Sequence, residues 1–402
     1  MPNFYGTPLN DLLFGSTRDD VMTGGFGDDI LHSLAGDDIV FGNGGNDTVF
    51  GYLGDDLIFG GDGHDWLGGE QGNDTLSGGT GRDTLIGGPG NDLLSGDGQD
   101  DFLAGGDGAD TMDGGSGIDT ASYFGASGGM VVNLLYGTAS DGDVLMNIEN
   151  VIGSKQADIL VGDHGANEID GQAGNDILIG NGGDDTLKPG AGNDVVSGNS
   201  GIDMVSYAGI EGAGVTIDLS AGTAIRVISP GRWFKVETDT LSGIEAAHGS
   251  NGNDILVGDA QSNLLIGDFG DDTLNGDSGN DTLNGGSGID MMTGGPGADR
   301  FVFTVKDLVT NPGPDWGTIT DFSSAQGDRI DLSELENWYG LMSYVGTAPF
   351  SGNPGNPQLR IMAQTFGAST LGIDVDGDGT EDGMIEVLWQ GFTPLSEADF
   401  IL

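Results

Sequence analysis

The chain contains no cysteine, so no disulfide closes any of its loops. Basic residues number 11 against 64 acidic ones, for a formal charge of −53 over 402 residues. That imbalance argues against nucleic acid as a partner and against direct binding to anionic membranes, since both repel an acidic chain. Only four histidines occur, at 32, 64, 164 and 248, and none belongs to an HExxH motif that would hold a catalytic zinc. No apolar run approaches the length needed to span a bilayer, so no direct membrane insertion is expected. The opening MPNFYGTPLNDLLFG lacks the basic start and apolar stretch of an N-terminal signal peptide.

What the chain has in excess is glycine, 80 residues of it, arranged with a period of nine. GGFGDDILH, GGDGHDWLG, GGTGRDTLI and GGPGNDLLS give the rule G-G-x-G-x-D-x-(apolar)-x. In this register aspartates stand at 11, 20, 29, 38, 47, 56, 65, 74, 83, 92, 101, 110 and 119. A nine-residue period of this type indicates a parallel β-helix that binds calcium. The glycines allow positive φ and close backbone approach in a tight turn. The last three residues form a short strand with its middle side chain inward. That inward series is Leu13, Met22, Leu31, Val40, Val49, Ile58, Leu67, Leu76, Leu85, Leu94, Leu103 and Met112. Two units make one coil, so residues eighteen apart stack roughly 4.8 Å above one another.

Stacking lines the turn aspartates into columns of like charge, which repel unless a cation intervenes. Calcium suits the gap because it is hard and takes six to eight oxygens from carboxylates and carbonyls together. The candidate ligands of the first array are Asp20, Asp29, Asp38, Asp47, Asp56, Asp65, Asp74, Asp83, Asp92, Asp101, Asp110 and Asp119. Asp158, Asp176, Asp185, Asp194 and Asp203 form a second array, and Asp254, Asp272, Asp281, Asp290 and Asp299 a third. In both later arrays the second unit carries asparagine, Asn167 or Asn263, and a damaged glycine turn, which predicts weak or absent metal. About twenty sites would carry roughly +40 and leave the particle near −13. Binding and folding are then one equilibrium, so the metal-free chain is expected to be disordered.

The expected organisation is all-β: a parallel β-roll in three arrays (1–121, 153–205 and 249–302), two β-rich inserts (122–152 and 206–248) and a C-terminal β cap (303–402). The inserts are copies of each other: SYFG matches SYAG, MVVNL matches VTIDL, and DVLMNIE matches DTLSGIE. The second insert adds IRVISPGRWFKVE, whose Arg226, Arg232, Trp233, Phe234 and Lys235 read either as a charge-balancing surface hairpin or as a contact for a partner or glycan. Early units carry outward apolar ladders, Leu12, Phe14, Ile30 and Phe50 on one face and Val21, Ile39, Phe41, Leu57 and Phe59 on the other. Such ladders are either covered by another segment or bind a partner, a second copy included.

After Arg300 the glycine period stops. GADRFVF, TITDF, DRIDLS, the FSG segment at Phe350, DVDGDGTED and the final DFIL resemble the C-terminal domain of serralysin-type secreted metalloproteases and the wider RTX (repeats-in-toxin) class. The resemblance implies a β-sandwich-like cap, an extracellular or cell-surface location in a Gram-negative bacterium, and the type I secretion machinery as partner. It also implies a C-terminal export signal, matched here by Asp399, Phe400, Ile401 and Leu402. Asp374, Asp376, Asp378 and Asp382 are spaced like the first ligands of a calcium loop, with Gly379 at the sharp turn, although Ile385 stands where an EF-hand needs glutamate; the stretch reads either as a hairpin-borne calcium site or as a solvated acidic turn. The protease half of the resembling family is missing. One GxSxG match, Gly125 to Gly129, lacks a strand-to-helix elbow and a partner histidine. The expectation is a non-enzymatic structural, adhesive or self-assembling protein. The alternatives are a glycan-acting β-helix enzyme and an accessory module of an enzyme encoded elsewhere.

Overall fold

The computed structural model describes all residues except 213, 229–234, 305–314, 336–341, 353–356, 366, 377 and 390–394. It contains two compact units, Met1–Gly201 and Ile202–Leu402. In the first, two parallel ladders carry the nine-residue period. One pairs Met22 with Val40, Val40 with Ile58, Ile58 with Leu76, Leu76 with Leu94 and Leu94 with Met112. The other runs Leu13, Leu31, Val49, Leu67, Leu85, Leu103 and Ala121 in the same eighteen-residue register. From Met22 to Ala121 these inward side chains are fully buried. The core is therefore two facing columns of one apolar residue per half-coil, as the period predicts.

Strands in the middle of this unit are longer than three residues. Ile39–Gly44, Leu57–Asp62 and Thr75–Thr80 each have six, because eighteen-residue pairing continues through the first turn positions, where Gly61 lies opposite Gly79. Gly63 shows why the fourth position favours glycine: its φ is +138°, and an added Cβ would stand 2.0 Å from the Gly45 carbonyl oxygen. The second position also has positive φ, yet Leu34, Asn43, Tyr52 and Glu70 occupy it.

The first insert keeps one ladder and remodels the other. Thr120–Ser122, Asn150–Ile152 and Glu168–Asp170 continue in parallel. On the opposite face Val131–Asn133, Thr138–Ala139 and Val144–Met146 form an antiparallel meander. Its last strand pairs in parallel with Thr111–Asp113, and its first with Ile159–Val161. The coil thus passes through the insert with a larger excursion on one side.

In the second unit Met204–Ser206, Ala246–His248, Leu264–Ile266, Thr282–Asn284, Arg300–Val302 and Arg329–Asp331 form one parallel ladder, ending on Phe400–Ile401. The other face runs from Val215–Asp218 through Ile255–Val257, Thr273–Asn275 and Asp290–Thr293 to Asp315–Phe322 and Gly383–Trp389. Gln358–Thr365 and Ala368–Asp374 extend that face antiparallel. The last hundred residues therefore continue both faces of the roll and widen one, where the family resemblance implied a sandwich-like cap. Apolar side chains such as Ile319, Ile330 and Val387 keep the core pattern without the glycine turns.

Candidate metal centres

Each sixth-position aspartate from Asp29 to Asp119 is buried beneath its own turn. One carboxylate oxygen is used by the protein. Oδ1 of Asp29 accepts the backbone N–H of Asp11 at 2.7 Å, Oδ1 of Asp65 that of Asp47 at 2.7 Å, and Oδ1 of Asp83 that of Asp65 at 2.7 Å. The relation repeats every eighteen residues. The other oxygen is left over: Oδ2 of Asp29, Asp38, Asp47, Asp56, Asp65, Asp74, Asp83, Asp92, Asp101, Asp110 and Asp119 is buried with no hydrogen-bond partner. In the second unit the same is true of Asp272, Asp281 and Asp299.

At Asp29, Asp47, Asp56, Asp65, Asp92, Asp101 and Asp272 a backbone carbonyl oxygen borders the same space. A methyl group built on Gly24 would lie 2.4 Å from Asp29 Oδ2 and 2.9 Å from the Gly42 carbonyl oxygen, so both oxygens border one small space. Burial pushes Asp56, Asp65, Asp92 and Asp101 up to about 7 and Asp272 up to about 8, offset in part by the backbone N–H bond. Carboxylates in adjacent coils raise these values further. A column of buried carboxylates with orphaned oxygens is costly for the chain alone. A hard divalent cation relieves it, because it supplies the missing partner and neutralises the charge, and both oxygen types suit calcium.

Asp20, Asp158 and Asp254 are placed differently. Their Oδ2 atoms accept the backbone N–H of Ser16, Ser154 and Ser250 at 2.5, 2.6 and 2.6 Å. Asn167 and Asn263 also sit in the column, with Oδ1 accepting the N–H of Asp163 and Asp259, each at 2.8 Å.

Several column members escaped the nine-residue count. Asp143 Oδ1 accepts the N–H of Asp110 at 2.7 Å, and Glu149 takes that of Asp119 at 2.8 Å. In the second insert Glu245 receives the N–H of Asp203 at 3.1 Å. Tyr123 donates its hydroxyl to Asp143 at 3.1 Å and Tyr207 to Asp239 at 2.6 Å, both pairs buried. The repeated D-x-L-x-x-I-E of the inserts was the available signal. Fifth-position Asn and Asp were missed too: Asn46 accepts the N–H of His64 and Asp55 that of Asn73, so they hydrogen-bond successive turns along the outside.

Asp374, Asp376 and Asp382 offer three carboxylate oxygens within 4.8 Å of one another. Asp378 is turned aside, accepting from Thr380 N–H and hydroxyl at 2.7 and 2.5 Å, which lowers its pKa. Arg226 is buried against Glu237 at 2.6 Å, and Lys235 reaches the same carboxylate at 2.7 Å. Arg232, Trp233 and Phe234 lie outside the described residues. Of the apolar ladders of the first coils, Leu12, Phe14 and Ile30 are exposed, whereas Phe50 and the opposite series Val21, Ile39, Phe41, Leu57 and Phe59 are half-buried. Phe14, His32 and Phe50 stack at 4.8 and 4.9 Å, and Phe41 on Phe59 at 5.2 Å. Phe14 is 53% exposed and Leu12 59%. The four-residue tail is built into the last coil: Phe400 pairs with Ile330, and Asp399 accepts from Ser396 N–H and hydroxyl at 2.7 and 3.0 Å.

Comparison with known families agrees with this geometry. The RTX calcium-binding nonapeptide repeat (4 copies) matches residues 5–40, 32–67, 41–76, 68–103, 86–121, 152–187 and 171–205. The chain carries RTX calcium-binding repeats. Residues 235–402 match the Peptidase M10 serralysin C terminal family, and no protease-domain family matches. No curated protein matches the chain. Among solved structures, the extracellular lipase LipA from Serratia marcescens is 17% identical with a TM-score of 0.24. That match covers 61% of this chain and 40% of the lipase, so the chain spans less than half of that protein's length.

Proposed function

We propose that this protein is a secreted, non-enzymatic calcium-binding chain that folds when it meets extracellular calcium and then works as a structural, adhesive or self-assembling component at the cell surface or in the matrix. The observation that carries the calcium part is the row of buried Oδ2 atoms without partners, from Asp29 to Asp119. Cytosolic calcium is too scarce to fill many modest sites, so the rolled state belongs outside the cell. A C-terminal tail that becomes a strand of the final coil is available to an export machinery only before that coil forms.

The histidines support a non-enzymatic reading. His32 is stacked between Phe14 and Phe50. His64 uses Nδ1 to accept the Arg82 N–H at 2.7 Å, and His248 faces Asp268 at 3.8 Å. Ser127 of the GxSxG match lies on an exposed loop. Burial of Arg226 against Glu237 also removes one basic residue from the hairpin that a glycan-acting enzyme would use. Exposed Leu12, Phe14 and Ile30 support self-association through the first coils.

Circular dichroism and light scattering across a calcium titration test both parts. The expected result is an expanded chain in chelator, a β-rich particle in millimolar calcium, and oligomers that appear only with calcium. A spectrum that does not change with calcium would refute the folding reading, and a monomer at high concentration the assembly reading.

A further inference from the structure

The sixth-position residue is held by two kinds of turn, which follow a fixed order along the chain. In the first kind the second turn residue has positive φ. This holds at every turn from Asp29 to Asp119, from Asp176 to Asp203 and from Asp272 to Asp299, whether that residue is Gly61, Asn43, Glu70, Gln172 or Asp268. In the second kind the same position is Thr7, Ser16, Ser154, Asp163, Ser250 or Asp259, and none of these has a positive φ. Their backbone N–H groups point at the buried acid or amide instead. Thr7 donates to Asp11 Oδ2 at 2.5 Å, as Ser16, Ser154 and Ser250 do to Asp20, Asp158 and Asp254. Hydroxyls add a second bond, from Ser154 to Asp158 Oδ1 and from Ser250 to Asp254 Oδ1, both at 2.8 Å.

Asparagine occurs in the column only at turns of the second kind. Asn167 and Asn263 accept the turn N–H on Oδ1, while Nδ2 donates to the Glu149 and Glu245 carbonyl oxygens eighteen residues earlier, at 2.7 and 3.2 Å. The amide thus supplies the donor that a cation would replace, with every polar atom in use. An N–H aimed at the inward oxygen puts positive charge where a cation would stand, and an amide offers a hard cation no charge. The turns of the second kind come in pairs, Asp11 with Asp20, Asp158 with Asn167, and Asp254 with Asn263. Each pair stands at the head of one array.

We propose that these six rungs are closed by hydrogen bonds and take no calcium at the column position, so that each array starts on a pair of rungs set by the chain itself. The inference rests on the calcium reading of the open rungs. It separates Asp20, Asp158 and Asp254 from the other aspartates of the period. Ser250 is the sharpest case, because Gly249-Ser-Asn-Gly-Asn-Asp254 is one residue away from the full G-G-x-G-x-D turn.

The test is the number of calcium ions bound per full-length chain, by equilibrium dialysis and metal analysis at saturating calcium. D65N keeps the Oδ1 acceptor of an open rung and replaces its orphaned oxygen, so it is expected to lose at least one ion. D254N is expected to keep the wild-type count, and S250G to gain one. D254N losing as many ions as D65N would overturn the inference while leaving calcium binding intact, as would an unchanged count in a folded S250G. If S250G does not fold, the D65N and D254N pair still decides. A wild-type chain that binds no calcium would remove the functional reading itself.

Discussion

Replacing Gly60 by alanine tests whether the space beside Asp65 Oδ2 has to stay open. Gly60 does not have a positive φ, so the backbone tolerates a side chain. The added Cβ would nevertheless stand 2.3 Å from Asp65 Oδ2 and 2.7 Å from the Gly78 carbonyl oxygen. Neither separation is sustainable, and Gly78 is backbone that pairs across the coil, so the Asp65 carboxylate must swing away. Overpacking of this kind costs about 1–3 kcal/mol. If the displaced carboxylate also loses its ion, a site held at a hundred times its dissociation constant forfeits about 2.7 kcal/mol more. The expected loss is about 4–6 kcal/mol in calcium, with at least one ion fewer per chain. Gly98 is the control, also without positive φ and with nothing closer than 3.7 Å to an added Cβ. There alanine should be neutral or stabilise by about 0.4–1 kcal/mol through the unfolded chain. Denaturant unfolding at fixed free calcium, with ion counting on the same samples, measures both. G60A within about 1 kcal/mol of G98A at equal ion count would refute the reasoning, since the magnitudes above put them much further apart.

Leu67 is fully buried and paired with Val49 and Leu85, so Leu67→Ala should cost about 2–5 kcal/mol in calcium-loaded unfolding without changing the ion count. In the metal-free chain, folded-state carboxyls raised to about 7 at Asp56, Asp65, Asp92 and Asp101 favour the coil below the ordinary carboxylate range, and this contribution is lost as pH rises through about 7. Calcium reverses the trend, because it needs the deprotonated oxygens. Circular dichroism at pH 5 and 8 should therefore show more β structure at low pH without metal, and tighter calcium binding at high pH; the same direction in both would contradict the site. Phe14→Ser with Phe50→Ser should lower calcium-dependent light scattering and leave ion binding unchanged, and scattering equal to wild type would dismiss those coils as the contact.

The period of nine could be read because it repeats one physical solution. An apolar residue two positions after an aspartate must face inward if both are to recur every eighteen residues, and Leu31 under Val49 or Leu76 under Leu94 follows directly. The candidate calcium ligands are legible for the same reason. What stayed hidden was the difference between Asp254 and Asp272, identical in type and register. That difference lies in the sign of φ four residues earlier, at Ser250 and Asp268. Serine there competes for the carboxylate with its own N–H and hydroxyl, a local preference of short polar side chains. Glycine has no such alternative. Aspartate stands on both sides of the divide, at 163 and 259 in closed turns and at 97, 268 and 277 in open ones, so residue type alone could not decide.

The last hundred residues resisted for a different reason. Once Ile319, Ile330 and Val387 supply the core, the repeated glycine–aspartate turn and its nine-residue count disappear while the two-faced stacking goes on. The roll is therefore a property of the inward apolar columns, and the glycine–aspartate turn is one way of closing it. Wherever the chain closes a coil with Tyr123 on Asp143, Tyr207 on Asp239 or Ser323 on Asp328, the inward oxygen already has a protein donor. The need for a cation therefore differs from coil to coil within each unit, and in the first unit it is concentrated where orphaned oxygens run unbroken from Asp29 to Asp119.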